Sequence, residues 1–169
     1  MFLSFKLASF DERNIILSEK TKNNVLQKGD FYRINYSNHL MTINGIYLYF
    51  SLQNVKIEPY FNKLKCNFNK AENSSVIEQL KGIEKKILSC LDIGKKAVYR
   101  IEEQLSHNFI KIYADSCWDK AQIKDNVEIL LKVAGIWDNQ FEYGITFGQS
   151  YFVAPSWFCC SPVRKIDCI

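Results

Sequence analysis

Rings and cations sit close together in the strand-like parts of this chain. Tyr32 and Arg33 are neighbours. Tyr47 and Tyr49 alternate with Leu48 and Phe50, Lys111 shares a strand face with Phe109 and Tyr113 against Ile110, Ile112 and Ala114, and Lys132, Trp137, Phe141 and Tyr143 follow one another closely. Such a set suits an unpaired strand of nucleic acid. A ring stacks on any base, contributing about 1–3 kcal/mol per base, and a cation answers the phosphate. Trp137, Phe141 and Tyr143 lie on or beside a turn, where rings are often accessible. Tyr47 and Tyr49 share one face of a strand and Leu48 and Phe50 the other, so one pair is core. The tyrosines are expected outward, because their hydroxyls seek water. Trp137 fits a core position as well as a stacking platform.

Catalytic chemistry is not expected. His39 and His107 are the only histidines, and neither sits in a metal-type or nucleophile-type motif. No G-x-S-x-G, H-E-x-x-H, G-x-G-x-x-G or P-loop pattern occurs. Glu102, Glu103 and Asp115 could make a carboxylate set of the kind a metal-dependent nuclease needs, but carboxylates at this density are ordinary surface residues. Cys117 beside Trp118 has no base placed near it by spacing. The six cysteines include no C-x-x-C pair, and the adjacent Cys159 and Cys160 do not give zinc spacing. No metal and no cofactor is therefore expected, and the thiols read as reduced.

Composition is that of a globular protein: 47% hydrophobic, 14% aromatic and 24% charged over 169 residues, enough for one domain with a real core. Net charge is +4, which is only mildly basic. The balance is uneven, with ten Lys and Arg against five Asp and Glu in residues 1–70. That half could track phosphates, or could simply be a solvated surface. The opening MFLSFKLASF lacks a cationic segment before its apolar run, and Lys6 interrupts it, so an intracellular, non-secreted protein is expected. No apolar run is long enough for a membrane helix, and no membrane partner is expected.

The elements that must carry these residues are mostly strands. Residues 129–137 and 141–147 read as a hairpin around Asp138-Asn139-Gln140, with Gly135 and Gly144 marking a bulge, bend or close backbone approach. Such glycines help a small barrel to close. Residues 31–36, 40–52 and 55–68 are rich in aromatic and β-branched side chains. Asn44-Gly45 reads either as a hairpin turn or as a bulge in one bent strand. One helix is expected over residues 75–91, from the capping box Ser75-x-x-Glu78 and the stripe Val76, Leu80, Ile83, Ile87 and Leu91, with Gly94 as its stop. Strands, one helix, then strands is the order of a five-stranded Greek-key barrel of the OB-fold type. An α+β sandwich has the same order. Residues 1–147 are expected to form this domain. Residues 148–169, with two prolines, Trp157 and three cysteines, form an atypical tail.

The pieces Lys132-Val133-Ala134-Gly135-Ile136-Trp137 and Tyr143-Gly144-Ile145-Thr146-Phe147 resemble the closing hairpin of single-stranded DNA-binding proteins from large DNA viruses, which are similar to T7-type phage OB-fold binders. The resemblance spans about twenty of 169 residues. It implies non-sequence-specific binding of single-stranded DNA in viral or mobile-element replication or recombination, with replication proteins as further partners. Gly148 stands where the family commonly has a basic residue, and the apolar, cysteine-bearing tail replaces the acidic tail of the phage members. A structural or protein-interaction module without nucleic-acid binding is the alternative.

Overall fold

The computed structural model describes residues 3–23, 29–61, 63–112 and 121–153, with the backbone alone for Gln122 and for 148–153. Within them lie ten strands, two α-helices and two single-turn 3-10 helices (Leu7–Ser9 and Glu12–Asn14). The strands are β1 (Phe5–Lys6), β2 (Ile15–Lys22), β3 (Asp30–Ser37), β4 (Thr42–Asn44), β5 (Ile46–Tyr60), β6 (Lys63–Asn67), β7 (Lys96–Val98), β8 (Phe109–Ile112), β9 (Gln122–Asp138) and β10 (Glu142–Val153). Helix α1 (Ser74–Ser89) precedes β7, and α2 (Arg100–Ser106) joins β7 to β8.

β9 is the axis of the sheet. Residues 122–133 pair with β5, residues 135–138 pair with β3, and β10 runs back along the opposite edge. The order continues from β5 to β6 to β8 on one side, and β10 carries β7 on the other. Pairing is antiparallel except for β1 with β5 and β7 with β10. Alternation decides which side chains enter the core. Leu48, Phe50 and Leu52 of β5 meet Val127, Ile129 and Leu131 of β9, and all are buried. Leu64, Cys66, Ile110 and Ile112 continue this layer, and Ile77, Leu80, Ile87 and Leu88 of α1 belong to the same core.

Contrary to the expected closed barrel, the sheet is open. β8 and β10 come within 8 Å of each other, yet no ladder joins β8 to β10 or β7. The end strands β7 and β8 are short, and α2 spans the opening between them. A second correction is α2 itself, where one helix was expected. Its apolar signal is only the pair Ile101 and Leu105, both buried, which is too short to reveal a helical period.

The helix α1 starts one residue early, and the capping box does not form. Ser75 Oγ accepts from Gln79 Nε2 at 3.1 Å, and Glu78 pairs with Lys81. The buried Asn73 fixes the entry instead. Its Oδ1 accepts from the Gln53 N–H at 2.7 Å, and its Nδ2 donates to the carbonyls of Gln53 and Asn69. The inward face of the helix differs from the expected stripe, with Ile77, Leu80, Ile87 and Leu88 buried and a carboxylate, Glu84, buried among them.

Asn44-Gly45 makes a bend, not a hairpin. Gly45 has φ +84°, which L-residues rarely adopt, and its N–H donates to the Ile34 carbonyl at 2.8 Å. The hairpin expected over 129–147 is present and longer than its apolar signal. β9 begins at Gln122, in a segment that reads as a polar link, and β10 continues to Val153. Residues 154–169, and with them Trp157, Cys159, Cys160 and Cys168, lie outside the described residues, as do Tyr113, Asp115, Cys117 and Trp118.

Candidate nucleic-acid interface

The two strand glycines explain how the outer face of the sheet is built. Thr146 pairs with Gly135 and Phe147 with Val133, so Ala134 is the extra residue of a bulge. Beyond it, Gly135 and Trp137 point away from the core. A Cβ on Gly135 would collide with the ring of Phe31 and the carbonyl of Tyr32, and a Cβ on Gly144 would lie 2.9 Å from Trp137 Cζ2. Phe31 thus rests on Gly135, and Trp137 on Gly144, rings lying on bare backbone of a neighbouring strand. The glycines shape an aromatic outer surface.

Cations lie over these rings. The Arg100 guanidinium is 5.2 Å from the centre of the Trp137 ring. Lys132 Nζ is 5.3 Å from the Tyr47 ring, its cross-strand partner. On the outer face of β6 and β8, the paired Lys65 and Lys111 share Phe109 at 4.7 and 5.6 Å, and Lys111 also reaches Tyr60 at 4.4 Å. Each such contact contributes about 0.5–1 kcal/mol when exposed. Glu58, the cross-strand partner of Lys65 on β5, already offsets part of the repulsion between the two lysines.

Arg33, Tyr47, Tyr49, Lys132 and Trp137 therefore share the outer side of β3, β5 and β9, and Lys111 joins that side from β8. Arg33 is exposed opposite Gly135, and the other five are half-buried. Tyr47 and Tyr49 point outward as expected, with Leu48 and Phe50 buried beneath. Tyr49 is compromised as a platform: burial and a hydrogen bond to Glu128 both raise its pKa, and that neighbouring acid opposes phosphate. Trp137 is neither core nor a free platform, because the Arg100 guanidinium shares its ring.

Tyr32 and Tyr143 are corrections. Tyr32 pairs with the buried Ile136 and Tyr143 with the buried Asp138, so alternation turns both rings to the core side, where they pack. Burial, followed by the nearby Tyr99 and Asp92, raises the Tyr143 pKa. Phe141 is 73% exposed at the hairpin tip. The tip is tied together: Asn139 Oδ1 accepts the N–H groups of Phe141 and Glu142 at 2.8 Å, and Lys95 bridges Asp138 at 2.5 Å and the Asn139 carbonyl at 2.8 Å.

Phe31, Tyr60, Lys65 and Arg100 were not anticipated on this face. Phe31 lies two residues before Arg33 and so on the same strand face, and Lys65 sits between Leu64 and Cys66, so periodicity carried a signal for both. Arg100 opens a helix that lacks one.

Among the described residues no group of three or more His, Cys, Asp or Glu is placed to hold a metal ion. Glu102 is held by Lys81 and Lys85 at 3.7 and 3.5 Å, and its N–H donates to Glu84. Burial pushes the Cys66 thiol up to about 12. No helix among the described residues is long and apolar enough to cross a membrane. Comparison with known proteins finds no matching family model, no matching curated protein and no matching solved structure.

Proposed function

We propose that this chain binds single-stranded nucleic acid without sequence preference, and that DNA exposed during viral or mobile-element replication or recombination is its substrate. The observation that carries the reading is the repeated placement of a cation over an outward ring: Arg100 on Trp137, Lys132 on Tyr47, Lys111 on Tyr60 and Lys65 on Phe109. Rings for bases and cations for phosphates are what an unpaired strand requires, and no base-reading motif accompanies them. The likeness of the Gly135 and Gly144 hairpin to that of viral and T7-type phage binders points the same way. The reading needs an accessible outer face and does not need the closed OB-type barrel. It makes the protein a binder and not an enzyme, with replication proteins as natural neighbours on the same strand.

Titration of tryptophan fluorescence with oligo-dT tests it. If Arg33, Lys65, Arg100, Lys111 and Lys132 each meet a phosphate, the slope of log K against log salt is about −3.5, from about −0.7 per contact on single strands. Affinity then falls about 100-fold between 50 and 200 mM salt. No binding to oligo-dT at ~50 mM salt and micromolar protein overturns the proposal. Self-assembly without nucleic acid, together with that failure, would instead favour a structural module.

A further inference from the structure

The opening of the sheet carries a site of its own. Between α2 and β8 lies an open groove of about 420 Å³. Arg100 and Lys111 line it together with Glu103, Gln104, His107 and Phe109. We infer that this groove is a nucleotide subsite, holding one unit of a bound strand with its phosphate between Arg100 and Lys111 and its base against Phe109. The inference deepens the proposed function and rests on it.

Three observations carry it. The groove adjoins the outer face, because two residues that line it also lie over outward rings, Arg100 over Trp137 and Lys111 over Tyr60. Its size falls within the ~300–1,000 Å³ of clefts that hold small ligands, and suits one nucleotide. Its polar groups are fixed and pointed. Gln104 Oε1 accepts the Lys111 N–H at 3.2 Å, which leaves the amide nitrogen to donate. His107 Nδ1 lies 2.7 Å from the Glu103 carbonyl and so donates to it, leaving Nε2 as an acceptor. A donor and an acceptor beside a ring can meet the edge of any base. The lysines over Phe109 sit on flexible four-carbon stems and can swing onto phosphate when a base replaces them.

Glu103 is the acid of the groove, and it makes the inference testable by gain as well as by loss. Arg100→Gln with Lys111→Gln should weaken oligo-dT binding about tenfold and make the salt slope shallower by about 1.4, the share of two phosphate contacts. Glu103→Gln should tighten binding about two- to threefold at low salt by removing a repulsion. A misfolded protein does not bind more tightly, so the second variant guards the first. Three results overturn the subsite: affinity unchanged in the double variant, weakening without a change in salt slope, or weaker binding by Glu103→Gln. In each of them the wild-type chain still binds oligo-dT, and Lys132→Gln still weakens it, so the wider reading stands on the remaining pairs, Lys132 with Tyr47 and Lys65 with Phe109, with a correspondingly shallower salt slope. If the wild-type chain binds no oligonucleotide, it is the proposed function that fails.

Discussion

Replacing Gly135 with alanine adds one methyl group to the outer face and should cost the fold far more than its size suggests. The new Cβ would press on the Phe31 ring and on the Tyr32 carbonyl oxygen. The ring can swing away, but the carbonyl belongs to β3, which is registered on β9 through Phe31 with Trp137 and Arg33 with Gly135. Relief therefore requires the two strands to separate at the bulge. Overpacking of this kind costs about 1–3 kcal/mol, and each ladder hydrogen bond loosened adds about 1 kcal/mol. Loss of glycine's freedom in the unfolded chain returns about 0.4–1 kcal/mol. A net destabilisation of about 2 kcal/mol follows from these terms. Gly82 in α1 supplies the control. It is exposed, with no atom within 4 Å of a built Cβ, so Gly82→Ala should stabilise by about 0.5–1 kcal/mol through helix propensity alone. Urea unfolding of the two variants measures both shifts, provided the m-values match the wild type. If Gly135→Ala proves as stable as the wild type while Gly82→Ala gains, the rings do not rest on the backbone as described.

Two further outcomes follow from buried charge. Glu84 accepts the N–H groups of Ile101 and Glu102 at 2.9 and 2.8 Å, capping α2 from another helix, while burial raises its pKa above the ordinary 4.5. Between that value and the raised one, the folded state holds more protons than the unfolded, so stability falls as pH rises through the window. Glu84→Gln should flatten that slope in denaturation curves taken across acidic pH, whereas Glu84→Ala should cost about 1–3 kcal/mol by orphaning the N–H groups. Lys95→Ala leaves the Asp138 carboxylate, 4% exposed, without its ion pair. The cost should be about 2 kcal/mol by chemical denaturation, below the ~3–5 kcal/mol of a fully buried pair because the Lys95 side chain is itself 30% exposed.

Local pattern and long-range pairing were legible to different degrees. Leu48 and Phe50 between two tyrosines, and Ile110 and Ile112 around Lys111, show in the sequence which face is core, because period-2 alternation is a local property. The two glycines announce close approach for the same reason: only a missing Cβ admits a ring. What lies against them is not local. Phe31 is about a hundred residues from Gly135, and nothing in the chain announces that β3 and β5 share one edge of β9. Tyr32 and Tyr143 were misplaced because a ring beside a charge or a turn looks accessible until the partner strand fixes its parity. The capping box failed because Asn73, two positions earlier, could bond to both the N–H and the carbonyl of Gln53, a residue that is distant in sequence. The seven-residue α2, and the groove that depends on it, carried too few apolar positions to be seen.

That β9 binds β3, β5 and β10 together while lying so late in the chain has a consequence for biosynthesis. During translation the β2–β3 hairpin and the long β5 emerge first, with unpaired edges that invite association with other chains. Their common partner is complete only when Asp138 has left the ribosome. At about 5–20 residues per second, the delay between β5 and β9 is several seconds. Any message cut short before that point would therefore yield sticky fragments and not a smaller working protein. An independent early unit is not available to this topology, so its quality control falls to chaperones that shield strand edges until the seventeen residues of β9 arrive.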